Sequence, residues 1–185
     1  MVDDLFSGDD DRAEAAALQI SELGQAAINP LLEKFETANA DHRWWAVRAL
    51  ARFDQTEAEE AIYHALTDMD ESVRQCAALA IREQPTPAAI PILIEILQDC
   101  DRLLARLAGD ALVAIGIPAA QALINAMQSK NSGVRMEATR ALAKIESDQA
   151  IPCLYNALDD PSPWVNFWAE VGLQNLGMEM VFFKA

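Results

Sequence analysis

Asp70-Glu71-Ser72-Val73-Arg74-Gln75-Cys76-Ala77-Ala78-Leu79-Ala80-Ile81 is the stretch that decides the fold, because its pattern of residue types recurs along the chain at a fixed spacing. The clearest second copy spans residues 131–142. The fourth residue of each copy is called its register position here. The six register positions, 30 or 31 residues apart, are Arg12, His42, Val73, Leu104, Val134 and Val165. A period this regular predicts a stack of similar supersecondary units.

Each copy predicts an amphipathic helix. Small or apolar residues recur at the register position and 4, 7, 8 and 11 residues after it, which forms one stripe at about 100° per residue. A residue type that caps helix N-termini precedes every register position by three: Asp9, Asn39, Asp70, Asp101, Asn131 and Ser162. Gly24, Gly116 and Gly177 follow three of the copies at the place where a helix C-terminus takes a left-handed residue.

A second, shorter apolar helix is predicted between successive copies. The segments are 27–35, 58–66, 88–97, 119–127 and 150–158. Three of them carry proline near the start, Pro30, Pro91 and Pro152, where a missing N–H has no intrahelical partner to lose. No segment shows the alternation or turn residues of a β-hairpin. The sequence therefore predicts an all-α chain, an α-solenoid of about five and a half short repeats.

Length and composition predict one domain over residues 1–185, with 52% hydrophobic residues for its core. The acidic residues 1–8 are expected to be frayed. The apolar residues 178–185 are expected to cap the last repeat, with a dimer or partner contact as the alternative. Since no secretory leader and no apolar run of about 18 residues is present, we expect a cytoplasmic protein with no membrane span.

Several function classes are disfavoured by the sequence. The net charge of −15 argues against a nucleic-acid partner. Cys76, Cys100 and Cys153 are odd in number and lack paired spacing, so neither a disulfide framework nor a metal site is predicted. His42 and His64 are the only histidines, and no nucleotide-binding, metalloprotease or serine-hydrolase motif occurs. A non-enzymatic role is therefore favoured, with no catalytic residues.

The best functional signal lies opposite the buried stripe of the second helices. Positions 2 and 6 after the register position should face solvent on the concave side of a solenoid, yet many are large and apolar or arginine. Such residue types are enriched at protein interfaces. The predicted partner-binding residues are Trp44, Arg48, Leu79, Arg106, Met136, Arg140, Phe167 and Val171. The alternative is that solenoid curvature or the C-terminal segment covers some of them.

Aromatic and arginine residues near this face divide into two groups. Trp45 and Trp168 lie beside the buried stripe and are expected in the core, whereas Trp44 and Phe167 are the better candidates for binding hot spots. Arginine recurs one residue after the register position, at Arg43, Arg74 and Arg135. We expect these three arginines to bridge neighbouring repeats through a capping Asp or a helix C-terminus.

The motif Asp-x-x-Val-Arg-x-x-Ala-x-x-Ala-Leu, with Ala-Ile-Pro-x-Leu at 89–93 and 150–154, resembles the short HEAT-like repeats of the phycobilisome lyase type. That group includes E/F-type bilin lyases and phycobilisome-degradation proteins of cyanobacteria. The paired tryptophans in residues 41–50 look similar to a repeat of its cyanobacterial members. The resemblance covers residues 9–177 and implies the same α-solenoid fold.

Three functions remain open on this basis. The first, implied by the resemblance, is a non-enzymatic adaptor that holds a phycobiliprotein subunit during assembly, chromophore handling or degradation. The second is a subunit of a heterodimeric bilin lyase. In this second function a phycobilin would be bound only transiently, with Arg48, Arg106 and Arg140 pairing its propionates and Trp44 or Phe167 stacking on it. The third is a general bacterial protein-interaction scaffold. No resident cofactor is predicted.

Overall fold

The computed structural model describes residues 1–37 and 39–178, and this part of the chain consists of helices joined by short turns, without a β-strand. The all-α prediction is confirmed. The α-helices are α1 Val2–Leu5, α2 Asp10–Gln19, α3 Ile28–Thr37, α4 Ala40–Leu50, α5 Thr56–Ala65, α6 Glu71–Glu83, α7 Ile90–Ile96, α8 Arg102–Ile115, α9 Ala120–Ala126, α10 Ser132–Ile145, α11 Ile151–Ala157 and α12 Pro163–Asn175.

Two kinds of helix alternate along the chain, as the repeat predicts. The second helices of the repeats, which carry the register positions, are α2, α4, α6, α8, α10 and α12. The first helices are α3, α5, α7, α9 and α11. Single 3₁₀ turns at Pro87–Ala89, Ile117–Ala119 and Asp148–Ala150 lead into α7, α9 and α11.

The predicted helix ends are largely confirmed. Five of the six predicted caps accept a hydrogen bond from a first-turn N–H, for example Asp70 from Ser72 and Val73. Ser162 accepts none at the start of α12. Gly24, Gly116 and Gly177 all have positive φ, at 56°, 78° and 72°. At Gly24 and Gly116 ψ is −150° and −140°, a region that is almost restricted to glycine.

The chain divides into two compact units, Met1–Gln84 and Pro85–Ala185, called the N-terminal and C-terminal units here. In the N-terminal unit α4 packs between α2 and α6, and α3 and α5 form a second layer. In the C-terminal unit α10 packs between α8 and α12, with α7, α9 and α11 as the other helices. Each unit thus has the layered helix pairs of an α-solenoid. Whether residues 1–185 form a single domain stays a prediction.

Alanine lets these helices approach closely. Fully buried alanines line the stripe in both units: Ala46, Ala49, Ala77, Ala108, Ala111, Ala138 and Ala141. Leucine and valine between them, such as Leu50, Val73 and Leu112, are also fully buried and fill the space between the layers. The stripe predicted from the repeat is therefore the core.

The acidic N-terminal segment, residues 1–8, contains a short helix. Residues 2–5 form α1, and the side chain of Leu5 is completely buried. The ring of Phe6 lies edge-on to His42 at 5.2 Å, and Arg12 forms an ion pair with Asp4. One leucine and one phenylalanine thus supply apolar contact between the acidic segment and the helices α2 and α4, and fraying of residues 1–8 stays a prediction.

Two other predictions concern the chain end and membranes. Residues 179–185, which make up nearly all of the predicted C-terminal cap at 178–185, lie outside the described residues. Within the part of the chain that is described, no single helix has the length and apolar character to cross a bilayer. Only one bent pair, Arg102–Ile115 with Ile117–Ala126, passes that test when its two helices are taken together.

Candidate functional site

Two of the three arginines that follow the register positions, Arg43 and Arg135, tie neighbouring repeats together, as predicted. Arg43 donates from Nε and Nη2 to both carboxylate oxygens of Asp68, at 2.7 Å each. Arg135 does the same to Asp160, 25 residues further along the chain as in the first pair, at 2.7 and 2.9 Å. Arg74 donates to the backbone oxygens of the turn before α6. These arginines are scaffold residues.

The partners of these arginines belong to a repeated feature that sequence reasoning missed. Two residues before a helix cap, the side chains of Asp68, Asp99, Ser129 and Asp160 each accept the backbone N–H of the cap. The signal was present in the sequence as Asp68-x-Asp70, Asp99-x-Asp101, Ser129-x-Asn131 and Asp160-x-Ser162. It sets the turn that leads into each second helix.

A cleft in the N-terminal unit contains the first predicted hot spot. It is lined by Ala40, Asp41 and Trp44 at the start of α4 and by Asp70 and Ser72 at the start of α6, and its volume is about 350 Å³. Trp44 is half-buried, with its ring edge-on to Trp45 at 4.7 Å. Trp45 is only 7% exposed, so its predicted core position is confirmed.

A larger cleft, called the C-terminal cleft here, lies in the C-terminal unit and has a volume of about 610 Å³. It crosses the N-terminal ends of α8, α10 and α12. Arg102 and Arg106, Met136 and Glu137, and Trp164 contribute to its walls. Two of the predicted partner-binding residues, Arg106 and Met136, therefore come together in one surface depression.

The same part of the repeat lines both clefts. Most of the lining residues lie within three residues of a register position, and a few others belong to the turn before the helix. Trp44, Arg106 and Met136, each two residues after a register position, are among the lining residues, and their role in partner binding stays a prediction. The positions one and two residues before a register position, such as Asp41, Arg102 and Trp164, were not predicted. The register of the repeat could have identified these positions, because they lie in the first turns of the second helices, and these first turns are accessible in both clefts.

Exposed aromatic rings border the C-terminal cleft. Trp164, which lines it, is 67% exposed, and Phe167 one turn later is 47% exposed. The two rings lie edge-on with centroids 6.3 Å apart, and Phe167 also meets the half-buried Trp168 edge-on at 5.2 Å. Large apolar side chains left this accessible favour an interaction surface.

The predicted residues six positions after the register position do not line either cleft. Arg140 is completely buried, which corrects the expectation that it faces a partner. Its Nε donates to Glu137 Oε2 and its Nη1 to Asp110 Oδ1, both at 2.7 Å. The guanidinium group fits inside the protein because the facing residue on α8 is Gly109, which has no side chain. A Cβ at this position would lie only 2.7 Å from Arg140 Nη2.

The other three predicted residues six positions after a register position are less exposed than predicted. Arg48 donates from Nη2 to Glu14 Oε1 at 2.9 Å, so it links α4 to α2. Leu79 and Val171 are half-buried. For these three residues partner binding stays a prediction.

The described residues show no thiol prepared for nucleophilic chemistry. Burial raises the pKa of Cys76 to about 12, and its Sγ lies 3.8 Å from the backbone oxygen of Trp44. Burial also raises the pKa of Cys153, whose Sγ contacts the backbone oxygen of Ala150. Cys100 is exposed and lines the C-terminal cleft.

The family model for HEAT repeats matches residues 28–113 and 91–174, which together cover most of the chain. The chain belongs to the HEAT-repeat family.

Relatives of this HEAT-repeat chain include a phycobilisome maturation protein of Synechococcus elongatus, 44% identical over 85 residues. The matched region is 46% of this chain, and it spans only 40% of the length of that relative. The resemblance to HEAT-like repeats of the phycobilisome lyase type is thus confirmed by a sequence relative as well as by its motif.

Solved structures with the same fold align with nearly the whole chain. The complex of CpcE and CpcF of phycocyanin lyase from Nostoc sp. PCC7120 aligns with 99% of this chain and 88% of that chain, with a TM-score of 0.56 and 19% identity. A designed armadillo repeat protein in complex with the peptide (KR)4 aligns with 95% of this chain and 97% of that chain, with a TM-score of 0.57 and 19% identity. These likenesses establish the α-solenoid fold.

Proposed function

We propose that this HEAT-repeat chain is a non-enzymatic, protein-binding adaptor that acts on phycobiliproteins. In this role it holds a phycobiliprotein subunit, in the manner of a chaperone, during phycobilisome assembly, chromophore handling or degradation. The protein acts through the N-terminal ends of its second helices, where each unit has a cleft. Phycobiliprotein is the proposed partner because the related Synechococcus elongatus protein is named for phycobilisome maturation.

The observation that carries binding is the exposed aromatic edge of the C-terminal cleft. Trp164 and Phe167 together present two large rings to solvent beside a depression of about 610 Å³. Burying such rings against a partner removes apolar area from water at about 25 cal/mol per Å², which makes aromatic residues frequent binding hot spots. Repeat proteins of this class use extended surfaces of stacked helices for binding.

The lyase hypothesis assigns three arginines of this chain to the propionates of a phycobilin, and one of them is not accessible. Arg140, one of three arginines that the lyase hypothesis assigns to propionates, is occupied inside the protein. The lyase hypothesis therefore has fewer groups available than the sequence suggested.

Gel filtration of the purified protein with intact phycobiliproteins, and absorbance spectra with free phycocyanobilin, test the proposal. We expect co-elution with a phycobiliprotein and no spectral shift of the free pigment. Replacing Trp164 and Phe167 together by Ala should weaken binding at least tenfold, about 1.4 kcal/mol. Trp44→Ala tests the N-terminal cleft separately.

The matched control is Tyr155→Ala. Tyr155 is an exposed aromatic residue on α11, outside both clefts, so its loss should leave the affinity unchanged. Circular dichroism and the urea midpoint should show that all variants remain folded. A shifted spectrum of the free pigment would instead support the lyase hypothesis. If neither phycobiliprotein nor pigment binds, the general scaffold hypothesis replaces the proposal.

A further inference from the structure

We propose that the C-terminal cleft docks a segment of the protein partner that presents a carboxylate next to an aliphatic or aromatic side chain. This inference rests on the proposed protein-binding function and names the chemistry of the contact. The cleft contains two arginines and two carboxylates, Arg102, Arg106, Asp99 and Glu137.

The carboxylates of the cleft have partners within the protein. Glu137 accepts a hydrogen bond of 2.7 Å from the buried Arg140, and its side chain is 9% exposed. Asp99 accepts the backbone N–H of Asp101 at 2.9 Å. Glu137 is thus paired with a cation and nearly buried, whereas Asp99 is half-buried and keeps its negative charge.

The guanidinium groups are held less firmly. Arg106 is 44% exposed, and its contacts with Asp110 at 3.6 Å and Glu137 at 4.0 Å are longer than hydrogen bonds. The side chain of Arg102 is exposed and makes no hydrogen bond or ion pair within residues 1–37 and 39–178. The two guanidinium groups are therefore the most accessible charged groups of the cleft, although the chain as a whole carries −15.

Apolar side chains complete the same cleft. Met136 is half-buried, Leu97 and Ala105 form part of the wall, and the exposed ring of Trp164 stands at one side. A ligand that offered only charge would leave this apolar surface in water, and one that offered only apolar groups would leave the arginines unpaired. An acidic group beside an apolar side chain satisfies both, because Arg pairs bidentately with carboxylate.

The N-terminal cleft provides an internal contrast. Its charged lining residues are Asp41 and Asp70, with no lysine or arginine among those that line it. Like charges across an interface cost binding free energy, so an acidic segment is disfavoured there. Charge complementarity thus directs the acidic segment to the C-terminal cleft.

Isothermal titration calorimetry with two synthetic peptides tests the inference. The first probe alternates Asp or Glu with Leu and Phe, and the second carries Lys in place of every acidic residue. We expect the acidic peptide to bind at least tenfold more tightly, and binding to weaken as salt is raised. It should also slow maleimide labelling of Cys100, which lies in the cleft, in a Cys153→Ser background.

The double variant Arg102→Glu with Arg106→Glu should reverse the preference between the two peptides. Arg82→Glu is the matched control, since Arg82 is an exposed arginine of α6 in the N-terminal unit and lines neither cleft. Each variant is first checked for an unchanged helical spectrum. Equal affinity for both peptides, no saturable binding, or no protection of Cys100 would overturn the inference.

The same variants separate this inference from the proposed function. If a phycobiliprotein co-elutes equally well with the double arginine variant, the adaptor function stands and the assigned chemistry of the cleft is wrong. If the acidic peptide binds as expected but no phycobiliprotein does, the chemistry stands and the partner is wrong. Displacement of the acidic peptide by free phycocyanobilin, with a pigment affinity that exceeds the peptide affinity, would also overturn the inference.

Discussion

At the residue scale, one position of the repeat departs from its own pattern. Gly24, Gly116 and Gly177 stand twelve residues after a register position and have positive φ. The corresponding residue after α10 is Glu146, with φ 55° and ψ 42°. An L-residue with a Cβ is strained by about 1–2 kcal/mol in this left-handed conformation, whereas glycine is not.

Glu146→Gly is therefore expected to raise the free energy of unfolding by about 0.5–1 kcal/mol, after allowance for the greater entropy of glycine in the unfolded chain. The urea midpoint at constant slope measures the change. Glu146→Ala is the control, because it removes the side chain but keeps the strain, and it should not stabilise. Equal stabilisation by both variants would attribute the effect to the side chain rather than the backbone.

At Gly109, in contrast to Glu146, glycine is the residue that stabilises the structure. Its helical conformation is ordinary, so Ala would normally stabilise α8 by about 1 kcal/mol. Here a Cβ would lie 2.7 Å from Arg140 Nη2 and 3.0 Å from Glu137 Oε2. Because Arg140 is buried and hydrogen-bonded on several sides, it has little room to move.

We expect Gly109→Ala to lower the free energy of unfolding by about 1–3 kcal/mol. A double-mutant cycle with Arg140→Met isolates the cause, since the penalty should largely disappear when the guanidinium is absent. Additive effects of the two substitutions would show that the crowding at Gly109 does not involve Arg140.

At the element scale, ion pairs with arginines of the preceding repeat hold the turns before α6 and α12. Arg135 on α10 binds Asp160 in the turn before α12, and it also donates to the backbone oxygens of Ser129 and Lys130. Asp160 in turn accepts the N–H of Ser162. Hydrogen bonds from Arg135 hold the pKa of Asp160 below its usual value, although partial burial opposes the shift.

Asp160→Asn is expected to destabilise the protein by about 1–2 kcal/mol at pH 7, because the charged partner of Arg135 is lost. A carboxyl with a lowered native pKa stabilises above its unfolded value of about 4 and loses this contribution as the pH falls through the native pKa. The difference in urea midpoint between the two proteins should thus shrink below about pH 4. Asp159→Asn, an exposed neighbour, serves as the control and should be near neutral. A pH-independent difference would contradict the role assigned to the ionised pair.

At the scale of the whole molecule, charge opposes folding while the alanine-rich core favours it. Residues 1–84 contain 18 Asp or Glu against 7 Lys or Arg, so most of the net charge belongs to the N-terminal unit. Several of these carboxylates, including Glu57 and Glu59 on α5, are exposed. Repulsion among exposed charges is screened by salt over a Debye length of about 8–10 Å.

Raising NaCl from about 10 to 150 mM is therefore expected to stabilise the protein by about 1 kcal/mol, which corresponds to about 2–4 °C in Tm for a chain of this size. Differential scanning calorimetry measures the shift. Glu57→Gln with Glu59→Gln should reduce the response to salt. A Tm that falls with salt would mean that ion pairs such as Arg48–Glu14 outweigh the repulsion.

How far the sequence predicts this protein differs between its core and its surface. The caps Asp70 and Asn131, the alanine stripe and the bridging role of Arg135 follow from local rules of helix chemistry and from the repeat period. The folded position of α1 does not, because it depends on contacts of Leu5 and Phe6 with distant helices. Arg140 was misplaced for a similar reason: its burial requires Gly109 on the neighbouring helix.

By itself the sequence determined the α-solenoid class, the register of the repeats and which stripe of each helix is buried, since these depend on a 3.6-residue period and on capping within a few residues. Only the tertiary structure decided which exposed positions share a surface. In the folded protein Arg102, Met136 and Trp164, from three different repeats, line one cleft, whereas Arg140 is buried and does not line it. The physical reason is that accessibility is a property of neighbouring helices packed together, so it depends on side-chain size and pairing across the stack rather than on position along one helix.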